Sequence, residues 1–259
     1  MNSVKLGLGL IGIGRKWGLT DIDVPKDDEV MELLQTSIDL GIRFFDTAPA
    51  YGLSEKRLGK FIKKLDKNLK KEVTISTKFG ENWSTKTNSS HPDHTFASLK
   101  KSLDSSLKKL GHIDILQIHK TNPSLFKDKD VLFAIDYAKN LGIQKIGASI
   151  VDQESGKLAC ESKKIDIIQL PYNLHNQQFK DIIELATNNN KEIIINRPFD
   201  TGKIIYSQKN AQNILVNCFS LILFNKFNGY ILTGTKNGSH LKENVYAFNK
   251  ALNGLKTND

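Results

Sequence analysis

The chain has 259 residues, 39% of them hydrophobic and 25% charged, with two cysteines and a formal net charge of +9. That length admits one large domain or two small ones, and the composition excludes collagen-like repeats, disordered low-complexity chains and disulfide scaffolds. The charge invites a nucleic-acid reading, but only four of the 37 basic residues are arginine, the better fork for phosphate and base edges.

The lysines are instead spread over helical patterns such as Lys100, Lys101, Lys108 and Lys109, where they read as solvated faces, so no nucleic-acid partner is expected. The longest strongly apolar stretch near the C-terminus, Phe219 to Phe224, is far short of the ~20 residues that cross a bilayer. The Gly-rich opening runs into Arg15, Lys16 and Trp17 without a small-residue cleavage site, so neither a signal peptide nor a membrane partner is expected. Cys160 and Cys218 lack C-x-x-C spacing and read as structural thiols of a reducing cytoplasm.

Strand and helix patterns alternate along the chain. Apolar, β-branched runs fall at Val4–Leu10, Ile42–Phe45, Val73–Ser76, Ile113–Ile118, Ile143–Gly147, Ile165–Leu170, Glu192–Ile195 and Gly229–Leu232. Most lack polar alternation, as strands buried on both faces should. Pro25, Asp27 and Asp28 start the first helix, and Gly41 ends it. Leu58, Phe61, Ile62 and Leu65 step at helical spacing, as do Phe96, Leu99, Leu103, Leu107 and Leu110 before Gly111, and Leu241, Val245, Phe248 and Leu252 before a short polar tail. Eight βα units of roughly 32 residues each, with no linker composition between them, predict a single (β/α)8 TIM barrel over residues 1–259, with a doubly wound sheet as the second architecture.

Gly7-Leu8-Gly9-Leu10-Ile11-Gly12 fits the G-x-G-x-x-G pattern of dinucleotide-binding sheets, but Gly14 to Gly18 reads as a loop where that motif needs a helix. The glycines instead suit a barrel strand whose mouth needs close backbone approach.

Barrel chemistry collects at the C-terminal ends of the strands. The second predicted strand ends at Asp46, the third at Lys78 and the fourth at His119, with Tyr51 five residues past Asp46. Adjacent strands ~4.8 Å apart deliver these residues to one patch. Each alone has a structural explanation; together they suit carbonyl reduction. An alkoxide forming at the carbonyl oxygen needs a proton donor, and Tyr is a weak one at its usual pKa of ~10. A neighbouring Lys78 cation would lower that pKa, Asp46 would balance the lysine, and His119 would orient the carbonyl. His91 and His94 have H-x-x-H spacing but no further ligand on that face, so no metal site is expected.

The run Phe44-Phe45-Asp46-Thr47-Ala48-Pro49-Ala50-Tyr51-Gly52, with Ser54-Glu55 and Leu58-Gly59 after it, resembles the signature of the aldo-keto reductase superfamily. Ser76-Thr77-Lys78-Phe79-Gly80, Gln117-Ile118-His119 and Gly234-Thr235-Lys236-Asn237 are similar to further family segments. The resemblance implies a (β/α)8 barrel that binds NADPH without a Rossmann domain and interconverts an aldehyde or ketone and an alcohol. It implies Tyr51 as acid/base, Lys78 as its activator, Asp46 as ion-pair partner and His119 as substrate orienter. Ser149 and Gln169 match positions that hold the nicotinamide carboxamide. Lys236, Asn237, Glu243 and Asn244 match the 2′-phosphate and adenine contacts, and Arg197, Thr235 and His240 are expected beside the cofactor.

Several departures stand out. Ile150 follows Ser149 where the family has Asn, Asn196-Arg197-Pro198-Phe199 puts the aromatic that stacks on the nicotinamide in many members slightly later, His240 stands where many members have Arg, the strand-7 loop is short and the family's long C-terminal loop is absent. The short loops predict an open mouth walled by Trp17, Trp83 and Phe199, and the point charge of Lys236 predicts a modest preference for NADPH over NADH. A catalytically weak nucleotide-sensing barrel and a Schiff-base enzyme using Lys78 are the alternatives.

Overall fold

The computed structural model describes residues 3–19, 23–84, 86–206 and 211–256. Eight parallel strands close into a barrel: β1 (Val4–Gly9), β2 (Phe44–Asp46), β3 (Thr74–Phe79), β6 (Ile115–Ile118), β7 (Lys145–Ser149), β8 (Ile167–Pro171), β9 (Glu192–Asn196) and β10 (Gly229–Thr233), with β10 pairing back onto β1. The outer helices are α2 (Asp27–Asp39), α3 (Ser54–Lys64), α5 (Phe96–Leu110), α6 (Lys129–Asn140), α7 (Gln153–Glu161), α8 (Lys180–Asn188), α9 (Ala211–Leu223) and α10 (Gly238–Lys256). The architecture is the predicted (β/α)8 barrel. Two short helices, α1 (Ile11–Gly14) and α4 (Lys67–Glu72), lie beside the first two units. Among the described residues no helix is long and apolar enough to cross a membrane.

The helical spacings correspond to buried faces. Leu58, Phe61, Ile62 and Leu65 of the α3 segment, Leu99, Leu103 and Leu110 of α5, and Leu241 and Phe248 of α10 all sit in the layer between helices and barrel. Helix α10 continues past Leu252 to Lys256, where a polar tail was expected; residues 257–259 lie outside the described residues.

Inside the barrel, Phe44, Ile115, Ile167, Ile194 and Leu232 form a separate apolar cluster, with the Phe44 and Tyr230 rings stacked at 3.8 Å. Gly7 makes room for it, since a Cβ there would lie 2.6 Å from the Phe44 ring. That packing, in a closed barrel, accounts for Gly7 of the G-x-G-x-x-G run.

One element departs from the predicted alternation. After β3 the chain forms an antiparallel hairpin, β4 (Glu81–Ser84) and β5 (Ser89–Pro92), with Glu81 opposite Pro92 and Trp83 opposite Ser90. Its residues are mostly polar and carry no period-2 apolar signal, so propensity gave no strand there.

Candidate active site

Strand geometry builds the site directly on the apolar cluster. Side chains two residues apart on a strand share a face, and the next inward position is polar in four strands: Phe44 is followed by Asp46, Ile115 by Gln117, Ile167 by Gln169 and Ile194 by Asn196. Asp46 is the hub. Its Oδ2 accepts from Lys78 Nζ at 2.6 Å and Gln169 Nε2 at 3.4 Å; its Oδ1 accepts from Gln117 Nε2 at 3.0 Å and Ser76 Oγ at 3.2 Å. Lys78 also donates to the Thr47 carbonyl at 3.0 Å.

Lys78 and Asp46 are only 1% and 2% exposed. A buried ion pair survives desolvation only when its remaining hydrogen-bonding capacity is met, and this one is met on both sides. Burial alone would lower the Lys78 pKa, but Asp46 and Tyr51 outweigh it and hold the ammonium above its usual value.

Tyr51 closes a 3-10 turn (Pro49–Tyr51) above this layer. The turn is clamped to α1, because Leu53 N donates to Gly14 O at 3.0 Å and a Cβ on Gly14 would collide with the Tyr51 carbonyl. Lys78 Nζ lies 5.0 Å from the Tyr51 ring centroid, within charge-assisted reach of the phenol, and the His119 ring meets Tyr51 edge-on at 5.9 Å. The structure therefore gathers Asp46, Tyr51, Lys78 and His119 in one place. It corrects the expected depression of the tyrosine: burial raises the Tyr51 pKa more than Lys78 lowers it, so the phenol sits above its ordinary value.

The hairpin supplies a carboxylate absent from the sequence reading. Glu81, 2% exposed, approaches His119 Nδ1 to 3.0 Å through Oε2, while its Oε1 accepts from Ser90 Oγ at 2.6 Å and pairs with Lys120. Burial would raise the Glu81 carboxyl, but the close His119 and Lys120 nitrogens and the Ser90 hydrogen bond hold it well below the usual carboxylate range. Burial lowers the His119 pKa despite Glu81, which favours the uncharged imidazole. The Gly80-Glu81 step directly after the Lys78 strand was the available signal, but it has meaning only once the hairpin folds back.

The remaining expected residues are distributed around the rim. Ser149, at the end of β7, and Gln169, in the middle of β8, are register partners. Gln169 Oε1, Gln117 Oε1 and Asn196 Oδ1 are buried with no hydrogen-bond partner. At the start of α10, Asn237 Oδ1 accepts from Ser239 N and Oγ, both at 2.8 Å, and Thr235 Oγ1 accepts from Asn237 N at 3.1 Å. The Asn237 side chain is therefore committed to capping the helix. The Asn244 amide is likewise committed, donating to Thr233 Oγ1 at 2.6 Å in a buried tie between α10 and β10. His240 and Glu243 are exposed, and the Lys236 stem lies against Gly12, with Nζ 3.4 Å from Asp23 O.

Trp17 and Trp83 are half-buried at the mouth, each beside the Arg15 guanidinium, and Arg197 lies 5.8 Å from the Trp17 ring. Phe199 is not a mouth wall. It is 7% exposed and packs edge-on against Phe219 of α9 at 5.3 Å. Arg197, Asp200 and Thr201 take positive φ values of 52°, 46° and 58°, which turn the chain back toward the core there.

A closed eight-stranded α/β barrel with a buried Lys–Asp pair beneath a tyrosine at its C-terminal end defines a class of barrel protein, and comparison with known proteins narrows it. The model of the Aldo/keto reductase family matches residues 5–217. Aldo-keto reductase YhdN of Bacillus subtilis is 29% identical over 192 residues, 72% of this chain and 55% of its own length. Aldo-keto reductase yakc [NADP(+)] of Schizosaccharomyces pombe is 24% identical over 222 residues, 80% of this chain and 62% of its own. A solved structure from Pseudomonas aeruginosa assigned to the aldo-keto reductases is 28% identical, has a TM-score of 0.80, and is matched over 95% of this chain and 90% of that one. The chain belongs to the aldo/keto reductase family. It spans roughly half to two thirds of the length of these two curated relatives.

Proposed function

We propose that this protein interconverts an aldehyde or ketone and the corresponding alcohol, using NADP(H), in the cytoplasm. The observation that carries the reading is the buried Lys78 held between Asp46 and Tyr51. The residues present also fit the cofactor: Gln169 Oε1 and Asn196 Oδ1 are buried acceptors with unmet capacity near the strand ends, where a carboxamide N–H could satisfy them. Ser149 and Gln169 would hold that carboxamide. Lys236, with His240 nearby, would meet the 2′-phosphate close to the start of α10, where the helix dipole favours an anion. The relative named for NADP(+) supports this choice.

When bound, the nicotinamide supplies the hydride that arrives at the carbonyl carbon. As the C=O electron pair withdraws onto oxygen, Tyr51 gives that oxygen its phenolic proton and becomes tyrosinate. Burial keeps the phenol protonated at neutral pH, and the fixed Lys78 cation stabilises the anion left behind. Asp46 keeps that cation in place. Glu81 fixes the His119 ring through its contact with Nδ1, and the ring edge against Tyr51 positions the carbonyl; Nε2 donates to the substrate oxygen only when both ring nitrogens carry protons. A positioned general acid is typically worth ~10²–10⁴ in rate.

The test is an aldehyde panel with NADPH, alongside cofactor binding followed by nicotinamide fluorescence. The proposal expects saturable NADPH binding and aldehyde-dependent oxidation of NADPH. Cofactor binding without turnover would support the nucleotide-sensing alternative, and no cofactor binding would contradict the assignment altogether.

A further inference from the structure

One cation at the mouth has no part in that chemistry. Arg15 follows α1, and its guanidinium carbon lies 4.8 Å from the Trp83 ring centroid and 5.3 Å from that of Trp17, both within cation–π range. Its Nε is buried with no hydrogen-bond partner, and among the described residues it forms no ion pair. The nearby carboxylate, Glu81, is already engaged by His119, Lys120 and Ser90. Arg15 nevertheless stands next to the proposed proton donor: Gly14 is bonded to the Tyr51 turn, and a Cβ on Gly52 would lie 3.5 Å from Arg15 Cβ. A guanidinium held by aromatic rings keeps its N–H edge for planar, two-toothed recognition of an oxyanion.

Position separates this cation from Lys236, the residue expected to meet the 2′-phosphate. The barrel order runs β10-β1-β2-β3. Lys236 follows β10 and lies against Gly12, whereas Arg15 reaches the other way, across the loop of β2, to Trp83 on the hairpin after β3. That is the side of the mouth where Tyr51 and His119 lie.

We propose that Arg15 anchors an oxyanion of the substrate, so that the preferred substrates are aldehydes or ketones carrying a carboxylate or phosphate group. The substrate class rests on the carbonyl-reducing reading above; the anchor itself does not.

The chain has only two tryptophans, Trp17 and Trp83, and both flank Arg15, so their fluorescence reports on this site directly. The experiment compares 4-carboxybenzaldehyde with its neutral methyl ester, in the wild type, Arg15→Gln and Arg15→Lys. With NADPH, the wild type should favour the carboxylate by about 10- to 100-fold in kcat/KM, the range of a charged hydrogen bond. Arg15→Gln should erase that preference mainly through KM, and Arg15→Lys, which keeps the charge but not the fork, should restore part of it. Equal kcat/KM for the two aldehydes in the wild type would overturn the proposal. So would an Arg15→Gln effect that falls on the NADPH Kd, since the anion would then belong to the cofactor.

A second arm needs no turnover. In the presence of NADP+, 4-carboxybenzaldehyde should give a saturable tryptophan signal that the ester does not give and Arg15→Gln lacks. If neither aldehyde is reduced while that signal persists, the reductase reading fails and the oxyanion anchor stands. If the wild type gives no such signal, the anchor fails whatever the activity.

Discussion

The two sides of the barrel mouth are built on different physics. Around β2, β3 and β6, charges are buried and fully committed: Asp46 takes four donors, Lys78 is 1% exposed, and Glu81 ties His119, Lys120 and Ser90 together. Across β10 and α10, the residues expected to grip a nucleotide are exposed, as His240 and Glu243 are, or used internally, as Asn237 and Asn244 are. Buried charges act at low effective dielectric and need no reorganisation when charge develops. Exposed ones are screened and contribute little. The proposed proton chemistry is therefore rigid and preset, while the proposed hold on a 2′-phosphate would be weak and adjustable.

Lys78→Met attacks the rigid side most severely. It strands Asp46 as a buried unpaired charge, so stability should fall by about 3–5 kcal/mol, and kcat should fall by at least ~10²-fold. Chemical denaturation and steady-state kinetics measure the two effects, and a loss of activity at unchanged stability would show that Asp46 is not paired as described.

Glu81→Gln is expected to act next most strongly, lowering kcat by roughly tenfold as His119 loses its anchor, in line with the lower range of such supporting partners. The Glu81 pKa is depressed in the fold, so its stabilisation is fully present above its unfolded pKa of ~4.3 and is lost as pH falls through the lower folded value. The urea midpoint gap between wild type and Glu81→Gln should therefore be widest at neutral pH and narrow in acid. A constant gap would remove the ion-paired role.

The smallest effect is expected on the soft side. Lys236→Ala should weaken NADPH by about 1 kcal/mol, roughly fivefold, as suits a single half-exposed cation, with NADH unaffected. Equal losses for both cofactors would mean that Lys236 does not read the 2′-phosphate.

The sequence disclosed these two sides unequally. Barrel strands were legible to within about three residues because strands buried on both faces read as unbroken apolar runs. The polar step two residues after Phe44, and the strand-end positions of Lys78 and His119, put the proposed chemistry within reach of simple alternation. Glu81 was not legible, because the hairpin that carries it is specified by tertiary partners such as His119 and Ser90 rather than by propensity. Arg15 was read only as part of a charged opening loop, since its significance depends on Trp83, 68 positions away in the chain. Phe199 was placed at the mouth because a strand end fixes position but not the turn that follows, and the positive φ of Arg197 decides that turn. Cys160 and Cys218 were read as structural thiols; both are buried with pKa values pushed up to about 11, which leaves them little thiolate at neutral pH.

The central claim is that Tyr51 is the proton donor, and Tyr51→Phe tests it most directly because it removes one oxygen and leaves the ring packed against His119. Aldehyde reduction should fall by at least ~10²-fold, while the NADPH Kd stays within about twofold of wild type. Retention of most of the wild-type rate, with cofactor still bound, would contradict the account.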